Sequence, residues 1–228
     1  MEMAEDDEKV ARILVLISGN GSNLQALIDA CDTVKLPSSR IIQVISNRKD
    51  AYGLVRAQNA AIPTTYHNLV KYKRQHAASE AGILLAREAY DQDLAQLILE
   101  SKPDLVVCAG WMHVLSSGFV DALSKANIAT INLHPALPGQ FNGANAIHRA
   151  YEAFQNGEID HTGVMIHHVV SEVDMGEPIV TKDVLIRKGE SEEQLKNRIH
   201  EVEWQLIVEG TAKAIEKIKA RTTRSPEG

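Results

Sequence analysis

The sequence predicts a single α/β domain, a mainly parallel twisted sheet with helices on both faces. Short apolar runs rich in Val and Ile alternate with longer segments whose apolar residues recur at helical spacing. That is the pattern of strands joined by crossover helices. The strand runs are almost continuously apolar, as expected of strands covered on both faces. No Pro/Gly/Ser linker, composition break or internal repeat divides the 228 residues. At 44% hydrophobic and 24% charged, the chain has the composition of an ordinary globular domain and is long enough to bury a sizeable core.

Val10 to Ile17 is the first strand, stopped by Ser18-Gly19-Asn20-Gly21, because glycines punctuate a short apolar run. Leu24, Leu27, Ile28 and Cys31 then mark a helix over Ser22 to Cys31. Ile41 to Ile45 is the second strand, Ala51 to Ala61 a helix closed near Pro63, and Thr64 to Tyr66 a short third strand. A polar stretch with Lys71, Lys73 and Arg74 leads into a helix over Ser79 to Glu100. Asp104 to Cys108 and Ile128 to Leu133 are the fourth and fifth strands, and Ala146 to Gln155 is a helix. Val164 to Val170 and Ile179 to Ile186 are further strands, followed by a long closing helix over Glu192 to Lys219. The domain therefore occupies 10–219, between a flexible acidic segment, 1–9, and a flexible tail, 220–228, that carries Ser, Pro and Gly.

The formal charge of -6 gives no basic excess to suit a nucleic-acid backbone, although local donors can still hold a small anion. Cys31 and Cys108 stand in separate contexts that make neither a zinc site nor a disulfide framework. They read as small apolar residues in a reducing compartment. The N-terminus does not have the form of a secretory or transit peptide, and no apolar run is long enough to span a bilayer. The expectation is a cytoplasmic protein that handles small molecules, with no nucleic acid, membrane or metal as partner.

Open sheets of this kind bind ligands outside the carboxyl ends of their strands, which directs attention to the residues just after each strand. Gly19-Asn20-Gly21-Ser22-Asn23-Leu24 is an imperfect dinucleotide fingerprint. Leu24 replaces its third glycine, and the second strand ends in Ser46-Asn47-Arg48 with no acid for a ribose hydroxyl, so NAD is not the expected ligand. The anion-binding physics survives, because glycines let a ligand approach the backbone and the next helix offers free N–H groups. Two readings stay open here: a phosphate site that includes Ser22 and Asn23, or a tight turn with Ser22 as helix N-cap. At the fifth strand, Asn132 and His134 share one face if the strand reaches His134. Pro135 and Pro138 then hold the chain in a non-helical path. An amide beside an imidazole at a strand tip can bind a carbonyl oxygen and move a proton. The alternative is a hydrogen-bonded structural pair.

Three segments carry a resemblance. They are Leu16-Ile17-Ser18-Gly19-Asn20-Gly21-Ser22-Asn23-Leu24-Gln25, Asn132-Leu133-His134-Pro135-Ala136-Leu137-Pro138 and Glu172-Val173-Asp174-Met175-Gly176-Glu177-Pro178. Together they resemble the phosphoribosylglycinamide formyltransferases, a branch of the folate-dependent formyltransferase superfamily with a Rossmann-like fold. The resemblance runs in order from about Arg12 to Val208. It implies transfer of the formyl group of 10-formyltetrahydrofolate, a co-substrate, to the amino group of glycinamide ribonucleotide in purine biosynthesis, without metal or NAD. It implies Asn132, His134 and Asp174 as the catalytic set. It puts the substrate phosphate at Gly21, Ser22 and Asn23, with His200 and Glu203 helping to hold the ribonucleotide. It puts the folate against Met112, His113, Val114 and Leu115, against Asn132, and against Val170, Ser171, Glu172, Val173 and Asp174, with Arg87 associated with the donor. The chain departs from commoner family residues at His113, often Arg, at His200, often Lys or Gln, and over Gly139-Gln140-Phe141-Asn142-Gly143. A monomer or homodimer is expected.

On this reading Asn132 and a protonated His134 donate to the oxyanion that forms as the amine attacks. Asp174 favours the imidazolium by raising the His134 pKa and relays the amine's proton. His167 supports the site from its strand, and His168 faces the other way. Rival expectations are a methionyl-tRNA formyltransferase, which usually carries a further C-terminal domain and basic surfaces, and a formyltetrahydrofolate hydrolase, which usually carries an N-terminal regulatory domain. A non-enzymatic nucleotide-binding module would not need Asn132, His134 and Asp174 in this register.

Overall fold

The structure, a computed structural model, describes residues 10–222. The predicted flexible segment 1–9 and residues 223–228 of the predicted tail lie outside the described residues. In chain order the elements are β1 (Ala11–Ile17), α1 (Ser22–Ala30), β2 (Ser39–Ser46), α2 (Tyr52–Asn59), β3 (Thr64–Tyr66), α3 (Leu69–Lys73) and α4 (Glu80–Ser101). Then follow β4 (Leu105–Cys108), α5 (Ser117–Lys125), β5 (Ala129–His134), α6 (Ala146–Gln155), β6 (His161–His168), β7 (Pro178–Leu185) and α7 (Glu192–Thr222).

The strands form one sheet in the order β3-β2-β1-β4-β5-β6-β7. The pairings from β3 through β5 are all parallel, and β6 and β7 pair antiparallel. This is the mainly parallel α/β sheet that the sequence predicts. The short connection from β6 to β7 holds no helix to cross the sheet, so these strands can neighbour each other only in the antiparallel sense.

The period-2 alternation of the central strands divides the core into two layers. Ile13, Val15 and Ile17 of β1, with Leu105 and Val107 of β4, pack under α1, α2 and α7, including Leu24, Leu27, Ala57, Leu195 and Ile199. Leu14, Leu16, Val106 and Cys108 point to the other face, under Tyr90 and Leu94 of α4 and Phe119 and Leu123 of α5. Both faces are therefore dry, which explains why the strand segments are continuously apolar.

Three differences from the sequence reading have local causes. The basic stretch after β3 contains the one-turn helix α3, begun by Asn68, whose side chain accepts the Val70 N–H at 2.9 Å. Helix α5 lies where the sequence reading places no element; Ser116 caps it by accepting from Phe119 N, and Phe119 and Leu123, four apart, bury its inner face. Helix α7 continues to Thr222, into the predicted tail, with Lys219 and Arg221 in its last turn, where positive charge suits the helix dipole.

The chain leaves β1 toward β2 and β3 on one side, then returns to β4 and β5 on the other. The strand order reverses between β1 and β4, so a crevice opens there beyond the carboxyl ends. The loops after these two strands are tied together. Ser18 N donates to Gly110 O at 3.1 Å, and Met112 N donates to Ser18 Oγ at 2.8 Å.

Candidate active site

The turn after β1 is held open by a close approach. Gly21 adopts φ 75°, and a Cβ there would sit 2.6 Å from Gly53 Cα on α2, so any side chain would push the two helix starts apart. Arg56 fixes the turn by donating from Nε to Asn20 O and from Nη2 to Asn20 Oδ1, both at 3.0 Å. Gly21, not Ser22, is the N-cap of α1, and no side chain caps this helix start. Its first-turn N–H groups have no side-chain acceptor, which is the condition that favours an anion there.

Asn23 turns inward. It is buried, and its Nδ2 donates to Glu203 on α7 at 3.2 Å. Glu203 is only 6% exposed. Burial pushes its carboxyl up to about 7, with the Asn23 hydrogen bond pulling the other way. His200, one turn earlier, is held below the ordinary imidazole value by burial and by Lys196. Asn23, Lys196, His200 and Glu203 line a cavity of about 600 Å³, a volume that suits a small-molecule site. Gly21 and Ser22 adjoin Asn23 but are not in its wall.

Strand β5 does reach His134, so Asn132 and His134 share a face as their spacing requires. In the β5–β6 ladder Asn132 is paired directly with His167. The loop after β6 brings Asp174 onto this pair, and its turn depends on Gly176, where a Cβ would collide with the His168 carbonyl. Asp174 itself has φ 57°, a left-handed conformation that Asp tolerates better than most residues. Its Oδ2 lies 3.3 Å from His134 Nδ1 and accepts the Gly143 N–H at 2.8 Å. Its Oδ1 accepts from Asn132 Nδ2 at 3.3 Å and lies 3.4 Å from His167 Nε2.

His167 Nδ1 is 2.9 Å from the His168 carbonyl. That nitrogen therefore carries the proton, leaving Nε2 to accept from Asn132 Nδ2 at 3.2 Å. His167 is thus central to the polar cluster, where the sequence reading gave it a supporting place and the catalytic roles to Asn132, His134 and Asp174. The sequence contains no signal of the β5–β6 register, and only that register reveals the pairing.

The electrostatics differ from expectation at His134. Asp174 and the Gln140 and Phe141 backbone act to raise its pKa, but burial outweighs them and holds it below the ordinary imidazole value. Asp174 is opposed by burial, yet the adjoining His167 ring, the Gly143 N–H and the nearby His134 keep its carboxyl below the usual range. The resting pair at neutral pH is a neutral imidazole beside a carboxylate. The Nε2 of His134 is buried without a hydrogen-bond partner.

The loop 139–145 delivers the Gly143 N–H. Arg149 of α6 pins it by donating to the carbonyls of Phe141 and Asn142. Asn132, His134, His167 and Asp174 line the same cavity as Glu203. So do Met112, His113, Val114 and Leu115 after β4, and Val170, Ser171, Glu172 and Val173 after β6. Arg87 of α4 is outside the wall and reaches the loop only through Val114 O, at 3.5 Å. Among the described residues no group of three or more His, Cys, Asp or Glu side chains is arranged to hold a metal, and no helix is long and apolar enough to cross a membrane.

A sequence profile of the family described as formyl transferase matches residues 11–211. The phosphoribosylglycinamide formyltransferase of Schizosaccharomyces pombe is 49% identical over 88% of this chain and 95% of its own length. That of Escherichia coli is 40% identical over 82% of this chain and 79% of its own. Among solved structures, glycinamide ribonucleotide transformylase 1 from Symbiobacterium toebii superposes with a TM-score of 0.77 at 29% identity, covering 97% of this chain and 93% of that one.

Proposed function

The chain belongs to the formyl transferase family, and from that membership we propose that it moves the formyl group of 10-formyltetrahydrofolate onto the amino group of glycinamide ribonucleotide. Relatives named phosphoribosylglycinamide formyltransferase at 40–49% identity support this acceptor. The observation that carries the reading is the convergence of Asn132, His134, His167 and the Gly143 N–H on the Asp174 carboxylate, in the wall of the cavity that also holds Glu203.

The donor supplies an acyl carbon already activated for attack by an amine, so the protein's tasks are to place the amine, stabilise negative charge on the formyl oxygen and carry one proton. The uncapped start of α1 and Asn23 bind the phosphate end of the acceptor, and Glu203 and His200 bind its ribose. The loops 110–115 and 169–174 take the folate. Asn132 Nδ2 exchanges one of its two present acceptors for the formyl oxygen. His134 starts neutral and takes the proton shed by the amine. Asp174 then stabilises the imidazolium, and His134 returns the proton to the departing folate nitrogen. His167 holds the Asn132 amide in orientation. Neither a metal nor NAD takes part.

The test is the absorbance change of tetrahydrofolate release, with and without glycinamide ribonucleotide. Release only with the ribonucleotide is expected. Release without it would make the protein a hydrolase, and no release in either case would leave a binding module.

A further inference from the structure

Loop 110–116 lines the cavity, yet one of its main fixings lies outside it. Asp91 on α4 is 1% exposed and is not in the cavity wall. Both of its carboxylate oxygens are engaged by this loop. Oδ1 lies 2.7 Å from His113 Nε2, and Oδ2 accepts the Ser116 N–H at 2.8 Å. The His113 side chain is only 6% exposed, its ring edge-on to Tyr90 at 5.1 Å and to Trp111 at 6.3 Å. At the other end, Ser18 holds Gly110 O and Met112 N. The backbone is thus anchored around both ends of the loop, while the side chains of Met112 and Val114 are 71% and 51% exposed. Such a loop offers a preset row of backbone N–H and C=O groups. A flat heterocycle with amide and amino edges is recognised by groups of that kind.

A buried carboxylate is costly unless fully hydrogen-bonded. Where only packing is needed, apolar residues of similar volume serve a fold as well or better. The Asp91–His113 pair therefore has a use beyond filling space. We propose that Asp91 is a positioning residue for the formyl donor: through His113 Nε2 and Ser116 N it fixes loop 110–116 in the shape that binds the pteridine ring, without touching the reacting atoms. This rests on the assignment of that loop to the donor under the proposed function.

The test is a comparison of Asp91→Leu with Asp91→Asn. Leucine fills the space and leaves His113 and Ser116 without their acceptor. Asparagine can still accept from Ser116 N and donate to His113 Nε2 after a tautomer change. Asp91→Leu should raise the KM for 10-formyltetrahydrofolate by about tenfold or more. The acceptor KM, and kcat at saturating donor, should stay within about twofold, and Asp91→Asn should lie close to the wild type. An unchanged donor KM in Asp91→Leu overturns the proposal. So does an equal rise in both KM values, a fall in kcat alone, or an asparagine variant as impaired as the leucine one. If Asp91→Leu does not fold, the smaller Asp91→Ala, which likewise removes both acceptors, is read in the same way. Tetrahydrofolate binding followed by tryptophan fluorescence separates this idea from the reading beneath it. A wild type that binds the folate but transfers nothing defeats the proposed reaction, while weaker binding by Asp91→Leu alone still supports the loop's role.

Discussion

Glu203 stores a measurable stability cost. In an unfolded chain its carboxyl titrates near 4.5, and in the fold burial pushes it up to about 7. Between those values the folded state binds more protons than the unfolded state, so stability falls as pH rises. The difference is about two and a half pH units, and at about 1.4 kcal/mol per unit the full cost of ionising Glu203 in place is about 3 kcal/mol. Most of it develops between pH 5 and pH 8. Glu203→Gln keeps an oxygen to accept from Asn23 Nδ2 and removes the ionisation. The predicted result is a variant more stable than the wild type at pH 8, by about 3 kcal/mol or about 6–12 °C in Tm, with the gap nearly closed at pH 5. Urea unfolding of both proteins across this range measures it. Parallel stability profiles would show that the carboxylate is not desolvated in solution and would remove its claim to be a strained binding group. The same variant should bind glycinamide ribonucleotide more weakly, because sugar hydroxyls are the donors that would make an ionised Glu203 favourable.

Three further predictions concern the catalytic cluster. His134→Ala or Asp174→Asn should lower kcat by roughly two to four orders of magnitude with little change in fold; kinetics with circular dichroism check this, and a fully active Asp174→Asn variant would remove the assigned roles. His134 itself should titrate below 6.5, the direction set by its burial, and ¹⁵N NMR of histidine-labelled protein against the His134→Ala variant reads the midpoint. Because its folded pKa is depressed, the unfolded state takes up protons first as pH falls below 6.5, and the stability contributed by neutral His134 is lost in that direction. Gly176→Ala should force the Asp174 turn off β6. It should cost at least 1 kcal/mol in chemical denaturation and lower kcat far more than a surface substitution would.

What the sequence reveals about this protein divides along a physical line. Strands covered on both faces need continuous apolar residues, so the central strands and their order of appearance were readable, as was the position of the glycine turn. Contacts that depend on strand register were not. Asn132 and His167 meet because β5 and β6 are antiparallel with Asn132 opposite His167, and nothing in either segment alone specifies that offset. Asp91 is similar: in sequence it is one more acid on a long helix, and only the packing of α4 beneath loop 110–116 gives it two partners. Helix α5 has no counterpart in the sequence reading, although Ser116, Phe119 and Leu123 mark its start and inner face.

The neutral state of His134 also orders the proton transfers in the proposed reaction. A resting imidazolium would be a ready donor to the formyl oxygen, but it could not accept the amine's proton, and Asp174, already bonded to Gly143 N–H and Asn132, would have to take it. A resting neutral imidazole inverts this sequence. The imidazole takes the proton as the carbon–nitrogen bond forms, and positive charge then appears on His134 while negative charge appears on the formyl oxygen. Asp174 is ionised beforehand, so the charge it is placed to stabilise exists only after attack has begun. The carboxylate therefore favours the transition state over the resting state, which is the condition for an interaction to raise kcat and not merely to tighten binding. Burial of His134, which works against a permanently charged imidazole, is what makes that difference available.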